Sequence, residues 1–364
     1  MKLYLDNIIF SLQKAGGISV VWYELLKRVL NDSDYDARFL ENVNENIFRA
    51  KINIPKELIL KNPLSKFPLK IQRYLNPNYV DAKGIFHSSY YRIINNPRIV
   101  NVTTVHDFTY EYYRRGLPKW VHSYQKAEAI KRANKIICVS ENTKNDVLKF
   151  IPNVQSSKIH VIYNGVDDTY RVISNPDKNL KDLIPFSKNE FSLFIGDRKS
   201  GYKNFEVATR ACKKIKTPLV IVGGGFLTKV EASFLVNELG VNNFIHLKGI
   251  ENNQLNILYN NAFCLLYPSL YEGFGIPILE AQKAGCPVIA VNKSSIPEVI
   301  GPVSTLIENP TVENIVEMML QLKNYSNFTT RQIEIGLVNS SRFSWDKCYQ
   351  ETKQVYKQLY EEYF

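Results

Sequence analysis

Two acids eight residues apart frame a glycine turn in Glu272-Gly273-Phe274-Gly275-Ile276-Pro277-Ile278-Leu279-Glu280. The turn follows an apolar run that ends near Tyr267-Pro268-Ser269, and the residues after it open a helix. Glycines let backbone approach a ligand closely. A helix start offers free N–H groups and the positive end of its dipole to an anion. The spacing is just over two helical turns, so one carboxylate sits in the turn and the other inside the helix. Such a pair suits hydroxyls at opposite ends of one ligand, with a diphosphate between them on the amides. A helix-start acid beside a solvated acid is the plainer account of the two glutamates alone. The preceding strand, the glycine turn and Pro277 favour a site.

A second candidate is Ile195-Gly196-Asp197-Arg198-Lys199-Ser200-Gly201-Tyr202-Lys203-Asn204. Arg198 and Lys203 lie five residues apart across a glycine turn, and both suit one diphosphate, the arginine as a fork and the lysine as a point charge. A basic surface loop fits the same letters. Its place at the carboxyl end of a strand, where open α/β sheets bind ligands, favours function. Gly16-Gly17 follows the first strand and permits close approach to phosphate. Gly223-Gly224-Gly225 lacks the dinucleotide fingerprint and is expected to be a tight turn lining a nucleotide pocket. His106-Asp107 ends another strand, where His106 suits a sugar hydroxyl or a leaving phosphate, with Asp107 fixing the imidazole. A structural histidine is the alternative there, and it fits His87, His122, His160 and His246 better. Asp32-Ser33-Asp34 resembles a metal-diphosphate motif but sits in a polar loop after the first helix, and is rejected.

These residues need elements to position them. Short apolar runs at Leu3–Asp6, Ile85–His87, Val100–Val105, Lys135–Val139 and Ile159–Tyr163 form one set of strands. Phe191–Ile195, Leu219–Val222, Phe244–Leu247, Ala262–Tyr267 and Val288–Val291 form another. They are nearly continuous rather than alternating, which marks parallel strands covered on both faces. Helical patterns lie between, including one capped by Ser140 or Asn142 and reaching Phe150. The alternation predicts two doubly wound parallel sheets. The turn-rich stretch 171–186 is the expected linker between domains 1–170 and 187–343. The final helix, 345–364, is expected to pack back on the first domain.

The chain has 364 residues, enough for about two domains. At 45% hydrophobic and 22% charged it is a globular composition, which excludes disordered and disulfide-scaffold classes. No apolar run approaches ~20 residues, and the opening residues lack a signal-peptide pattern. Five cysteines without metal or redox spacing suit a reducing, cytoplasmic compartment. The net charge of +11 fits nucleic acid, an anionic membrane or phosphorylated ligands, and no nucleic-acid reader motif accompanies it. Between 49 and 73 seven basic residues face one acid, Glu57, with Ile, Leu and Phe interleaved. That mixture suits a surface lying on anionic lipid. An ordinary two-helix excursion with solvated lysines fits as well.

The stretch Tyr271–Ala281, taken with Arg198 and Lys203, resembles the E-x7-E motif of the family 4 retaining glycosyltransferases. Asn292–Gly301, Cys138-Val139-Ser140, Asn164-Gly165-Val166-Asp167 and Phe343-Ser344-Trp345 carry the likeness along nearly the whole chain. His106-Asp107 and Gly196-Asp197-Arg198…Tyr202-Lys203-Asn204 are similar to the mannosyltransferase-B-like subgroup, which builds bacterial surface polysaccharide. The resemblance implies an α/β GT-B fold, two Rossmann-like doubly wound parallel-sheet domains facing across a cleft. It implies a hexosyltransferase that is retaining and metal-independent, with no cofactor. The donor would be a nucleotide-diphosphate sugar, GDP-mannose favoured. The acceptor would be a glycan or lipid-linked saccharide of O-antigen or capsule, reached at the inner face of the cytoplasmic membrane.

Carried onto this chain, Arg198 and Lys203 bind the diphosphate and Glu280 the ribose. Glu272 and the amides of Phe274, Gly275 and Ile276 hold the sugar and its phosphate. Gly16 and Gly17 close on the phosphates, and His106 lies near the transferred sugar. The long basic segment 49–73 and Pro302 depart from the family pattern. A non-catalytic partner protein of a polysaccharide assembly complex and a sugar-nucleotide epimerase are the alternatives.

Overall fold

The near-continuous apolar runs become parallel strands because both of their faces are covered. A computed structural model describes residues 1–61, 64, 66–78 and 82–364. It contains two compact units, Met1–Gly165 with Trp345–Phe364, and Val166–Ser344. Unit 1 holds β1 (Lys2–Asp6), β2 (Asp36–Glu41), β3 (Ile59–Lys61), β4 (Gly84–Ser88), β5 (Ile99–Val105), β6 (Lys135–Cys138) and β7 (Ile159–Val161). Their order is β3-β2-β1-β4-β5-β6-β7, all parallel. Unit 2 holds β8 (Ser192–Ile195), β9 (Leu219–Val222), β10 (Phe244–Leu247), β11 (Cys264–Tyr267), β12 (Val288–Val291) and β13 (Leu306–Ile307). Their order is β10-β9-β8-β11-β12-β13, again all parallel. Both sheets are doubly wound, with switch points between β1 and β4 and between β8 and β11.

Side chains alternate across the first sheet. Leu3 and Leu5 enter one core with Phe39, Trp22, Leu26, Tyr356 and Leu359, while Tyr4 packs on the other face with Leu40 and Phe86. Ser140 Oγ accepts from the Thr143 amide at 3.0 Å and caps the helix Glu141–Phe150, so the cap is Ser140 rather than Asn142.

The C-terminal helix Trp345–Tyr363 belongs to unit 1, and the Asp32-Ser33-Asp34 loop anchors it. Tyr349 donates to Asp32 Oδ2 at 2.6 Å, and Lys353 Nζ lies 2.5 Å from Asp32 and 2.7 Å from Asp34. Desolvation opposes the Asp32 charge, but the bonds from Lys353 and Tyr349 outweigh it and hold the carboxyl below the ordinary aspartate range. The pair therefore stabilises the fold at neutral pH, and the contribution disappears as pH falls through that lowered value. Asp32→Ala is expected to cost about 1–3 kcal/mol in urea unfolding at pH 7, and much less in acid.

Two expectations change. The stretch 171–186 is not a free linker but packs within unit 2. Leu180 and Ile184 are buried, the Arg171 and Ile173 amides donate to Asn256 and Asn260, and Asn261 donates to Pro176 O. Nor is 49–73 a two-helix excursion. It contains two short 3-10 turns, the edge strand β3 and a four-residue helix, Leu69–Gln72. Ile52 and Ile54 are core residues, Arg49 pairs with Glu41 at 2.6 Å, and Arg73 stacks on Tyr74 and Tyr90. Positions 62, 63 and 65 lie outside the described residues.

Candidate active site

In a doubly wound sheet, loops on either side of the switch point diverge and leave room for a ligand. In unit 2 these are the loops after β8 and β11, which carry the two strongest sequence motifs. The turn after β11 is held by two serines from the loop after β12. The Glu272 amide donates to Ser294 Oγ at 3.0 Å, and Ser294 Oγ donates back to Glu272 O at 2.5 Å. Buried Ser295 Oγ lies 2.9 Å from the carbonyls of both Glu272 and Phe274. Gly275 sits at φ +111°, and a Cβ there would come within 3.2 Å of Ile278. The helix Ile276–Lys283 starts without a side-chain cap. Among the described residues, the amides of Gly275 and Ile276 donate to no protein acceptor. Two open donors at a dipole's positive end are suited to an anion.

Beside them, Lys203 Nζ lies 2.5 Å from Glu272 Oε1, with both side chains about nine-tenths buried. Tyr267 also bonds Glu272. Glu280 sits further along the helix, where the Tyr259 hydroxyl donates to its Oε2 at 2.9 Å and Tyr170 bonds it as well. Burial pushes the Glu280 carboxyl up to about 7, against the restraint of the two tyrosines and with the help of the Asp167 charge. The protonated form is thus the one folding favours, and that stabilisation is lost as pH rises through about 7. A ligand hydroxyl donates better to the ionised form. Affinity for a hydroxylated ligand bound here is expected to rise through pH 7, by about ten-fold per unit below the transition. Calorimetric titration from pH 6 to 8 checks this, and Glu280→Gln should flatten the profile.

Arg198 is already engaged within unit 2. Its side chain is fully buried and turned into the Gly223-Gly224-Gly225 turn. Nη1 donates to Gly223 O at 2.5 Å, Nη2 reaches the carbonyls of Gly224, Gly225 and Phe226, and Nε pairs with Glu231 at 3.1 Å. A guanidinium so engaged binds the glycine turn, and a diphosphate would compete with these carbonyls for it. Gly224 has φ +71°, and a Cβ there would stand 2.5 Å from the Arg198 Nη1, so only glycine fits against the arginine.

In unit 1, Gly16 and Gly17 begin the helix Gly17–Val29. A Cβ on Gly17 would meet nothing within 4 Å, while one on Gly16 would strike the Gln13 side chain. His106, after β5, lines a small cavity with His87, Thr104 and Thr352. Burial, together with the Lys126 charge and despite Asp107, drives its pKa down to about 4, so the imidazole is neutral at pH 7. Asp107 does not fix that ring. Its Oδ1 accepts from the Thr109 amide at 2.8 Å in a local turn ahead of the helix Thr109–Tyr113. His87 is structural, bonded to Tyr356 and Thr104. Sequence reasoning missed Ser294, Ser295, Tyr170, Tyr259 and Tyr267 as supports. Only the buried tyrosines carried a signal, since a phenol in an apolar run needs a partner.

Two family models match. The one described as glycosyl transferases group 1 covers residues 177–336, and the one described as glycosyltransferase family 4 covers residues 15–170. The chain is 26% identical over 271 residues to the O-antigen chain mannosyltransferase B of Escherichia coli, covering 71% of this chain and 70% of that protein. HepE of Anabaena, solved with UDP-glucose, superposes with a TM-score of 0.75 at 17% identity over 98% of this chain and all of that one. WaaG, a glycosyltransferase involved in lipopolysaccharide biosynthesis, superposes at 0.73 and 16% identity, over 98% of this chain and 99% of WaaG.

Proposed function

Because the chain belongs to the family 4 glycosyltransferases and has their GT-B fold, we propose that it moves a hexose from a nucleotide-diphosphate sugar to a lipid-linked saccharide, with retention of configuration. Mannose is the favoured hexose and GDP-mannose the favoured donor, on the likeness to the mannosyltransferase. The product is a bacterial surface polysaccharide. The observation that carries this reading is the pairing of Lys203 with Glu272 beside the two open amides of Gly275 and Ile276.

When donor enters, its diphosphate takes the amides and draws Lys203. Glu272 then accepts from sugar hydroxyls and Glu280 from the ribose. As the bond from the anomeric carbon to phosphate breaks, charge grows on the leaving oxygen, where Lys203 and the helix start stabilise it. The acceptor oxygen bonds the same face of the sugar, and its proton passes to the leaving phosphate. No nucleophilic carboxylate or metal is needed in this scheme. In unit 1, the Gly16-Gly17 turn and the neutral His106 are the proposed substrate contacts. Arg198 acts as a positioning residue for the glycine turn.

The test is nucleotide release from labelled donor with and without a lipid-linked saccharide. Release that depends on acceptor and yields an α-linked product supports transfer. Scrambling of the free donor without acceptor supports an epimerase instead.

A further inference from the structure

The helix Gly116–Arg132 has two working faces. One buries His122, Lys126, Ala129 and Ile130 in unit 1. The other carries Leu117, Trp120 and Tyr124 at i, i+3 and i+7, and these are 74%, 73% and 62% exposed. Tyr112 and Tyr113, from the helix Thr109–Tyr113 just before it, are also exposed. A row of large apolar and aromatic side chains in water marks a contact surface.

The charge around the row selects the partner. Around it stand Arg114, Arg115 and Lys119, while Lys126 is buried and paired with Glu111, and the nearby Glu128 is paired with Arg132. Arg114 and Arg115 are exposed. The flanking acids are already engaged. Glu111 pairs with buried Lys126 at 2.8 Å, and Asp146 accepts from Tyr112 at 2.7 Å. Trp and Tyr rings settle at the headgroup level of a bilayer, and arginines beside them meet anionic phosphates. The surface lies on the chain that leaves β5 directly after His106.

We infer that the face formed by Leu117, Trp120 and Tyr124, with the exposed Arg114 and Arg115 just ahead of it in the chain, seats the protein on an anionic lipid bilayer. Composition suggested the same role for 49–73, where Ile52 and Ile54 are internal and Phe67 and Ile71 are exposed. The inference deepens the lipid-linked acceptor reading and rests on that reading for its purpose, while its observations are independent of the donor site.

The chain carries its own reporter. Trp22 and Trp345 are 3% and 5% exposed, so Trp120 alone among the three tryptophans senses the solvent. The full chain is mixed with phosphatidylcholine vesicles, with or without phosphatidylglycerol. The expected result is a blue shift and loss of iodide quenching with the anionic vesicles only, with matching co-sedimentation. Leu117→Ser/Trp120→Ser/Tyr124→Ser is expected to lower sedimentation by about ten-fold or more. Arg114→Ser/Arg115→Ser should lower it by roughly five-fold per charge. Lys66→Ser/Lys70→Ser should change it little. All of the substituted side chains are exposed, so the variants should fold, which circular dichroism checks.

The inference is overturned if anionic vesicles leave Trp120 unshifted, or if neutral vesicles bind equally. It is also overturned if the Lys66/Lys70 variant carries the loss, or if the shift appears with protein concentration alone, which would mark self-association. Transfer to a detergent-free, water-soluble acceptor should be unchanged in the triple variant. Absent transfer with intact vesicle binding would count against the proposed reaction and not against this surface.

Discussion

Arg198→Ala is expected to destabilise unit 2 by on the order of 3–5 kcal/mol, with lost activity following from the lost fold. The guanidinium is fully buried and serves the carbonyls of Gly223, Gly224, Gly225 and Phe226 along with Glu231. Its removal takes a donor from the half-buried carbonyls of Gly223 and Gly224 and from Glu231 Oε1, and leaves a cavity where the buried side chain stood, each at a cost. Lysine keeps the charge but not the planar fork, so Arg198→Lys should recover little. Thermal and urea unfolding of the variants measure the loss. Unchanged stability with a pure fall in kcat/KM would mean that the guanidinium leaves the glycine turn to meet ligand.

Lys203→Ala is expected to behave in the opposite way, keeping its fold and losing about 100- to 1000-fold in kcat/KM. Lys203 sits on the loop after β8, paired with Glu272 from the loop after β11. That pair spans the switch point beside the open amides of Gly275 and Ile276, where the proposed reaction would gather charge on a leaving diphosphate. Truncating the lysine leaves the amides in place, so residual nucleotide binding should persist while turnover falls. Steady-state kinetics beside an unfolding curve distinguish the two variants. Near-normal turnover in Lys203→Ala would remove lysine from the charge-stabilising role.

The strands flanking the candidate site were legible because they are short apolar runs buried on both faces, as at β8, β9, β11 and β12. β2 escaped because Asp36, Arg38 and Glu41 interrupt its apolar residues, β3 lies in the basic segment, and β13 is two residues long. The loops were legible too, since glycines, acids and bases at fixed spacing reveal a backbone turn with charge. The aim of each side chain was not. Arg198 turns toward carbonyls 25 to 28 residues away, and Glu280 meets Tyr259 from 21 residues upstream. Local spacing holds no information on such partners. The Asp32-Ser33-Asp34 loop looked like a ligand motif without a strand end to support it, and its partners proved to be Tyr349 and Lys353, more than 300 residues on. In the 171–186 stretch, turn letters concealed two buried anchors, Leu180 and Ile184.

The central claim is that the loops after β8 and β11 hold a nucleoside diphosphate. Calorimetric titration of the full chain with GDP, UDP, ADP and dTDP tests it most directly. The account predicts one-site binding with a clear preference for one base, tighter at pH 8 than at pH 6, and weakened by Glu280→Gln and by Lys203→Ala. At 100 times Kd the preferred nucleotide should add about 2.7 kcal/mol to stability. Absence of binding by all four nucleotides, or binding indifferent to both substitutions, would contradict it.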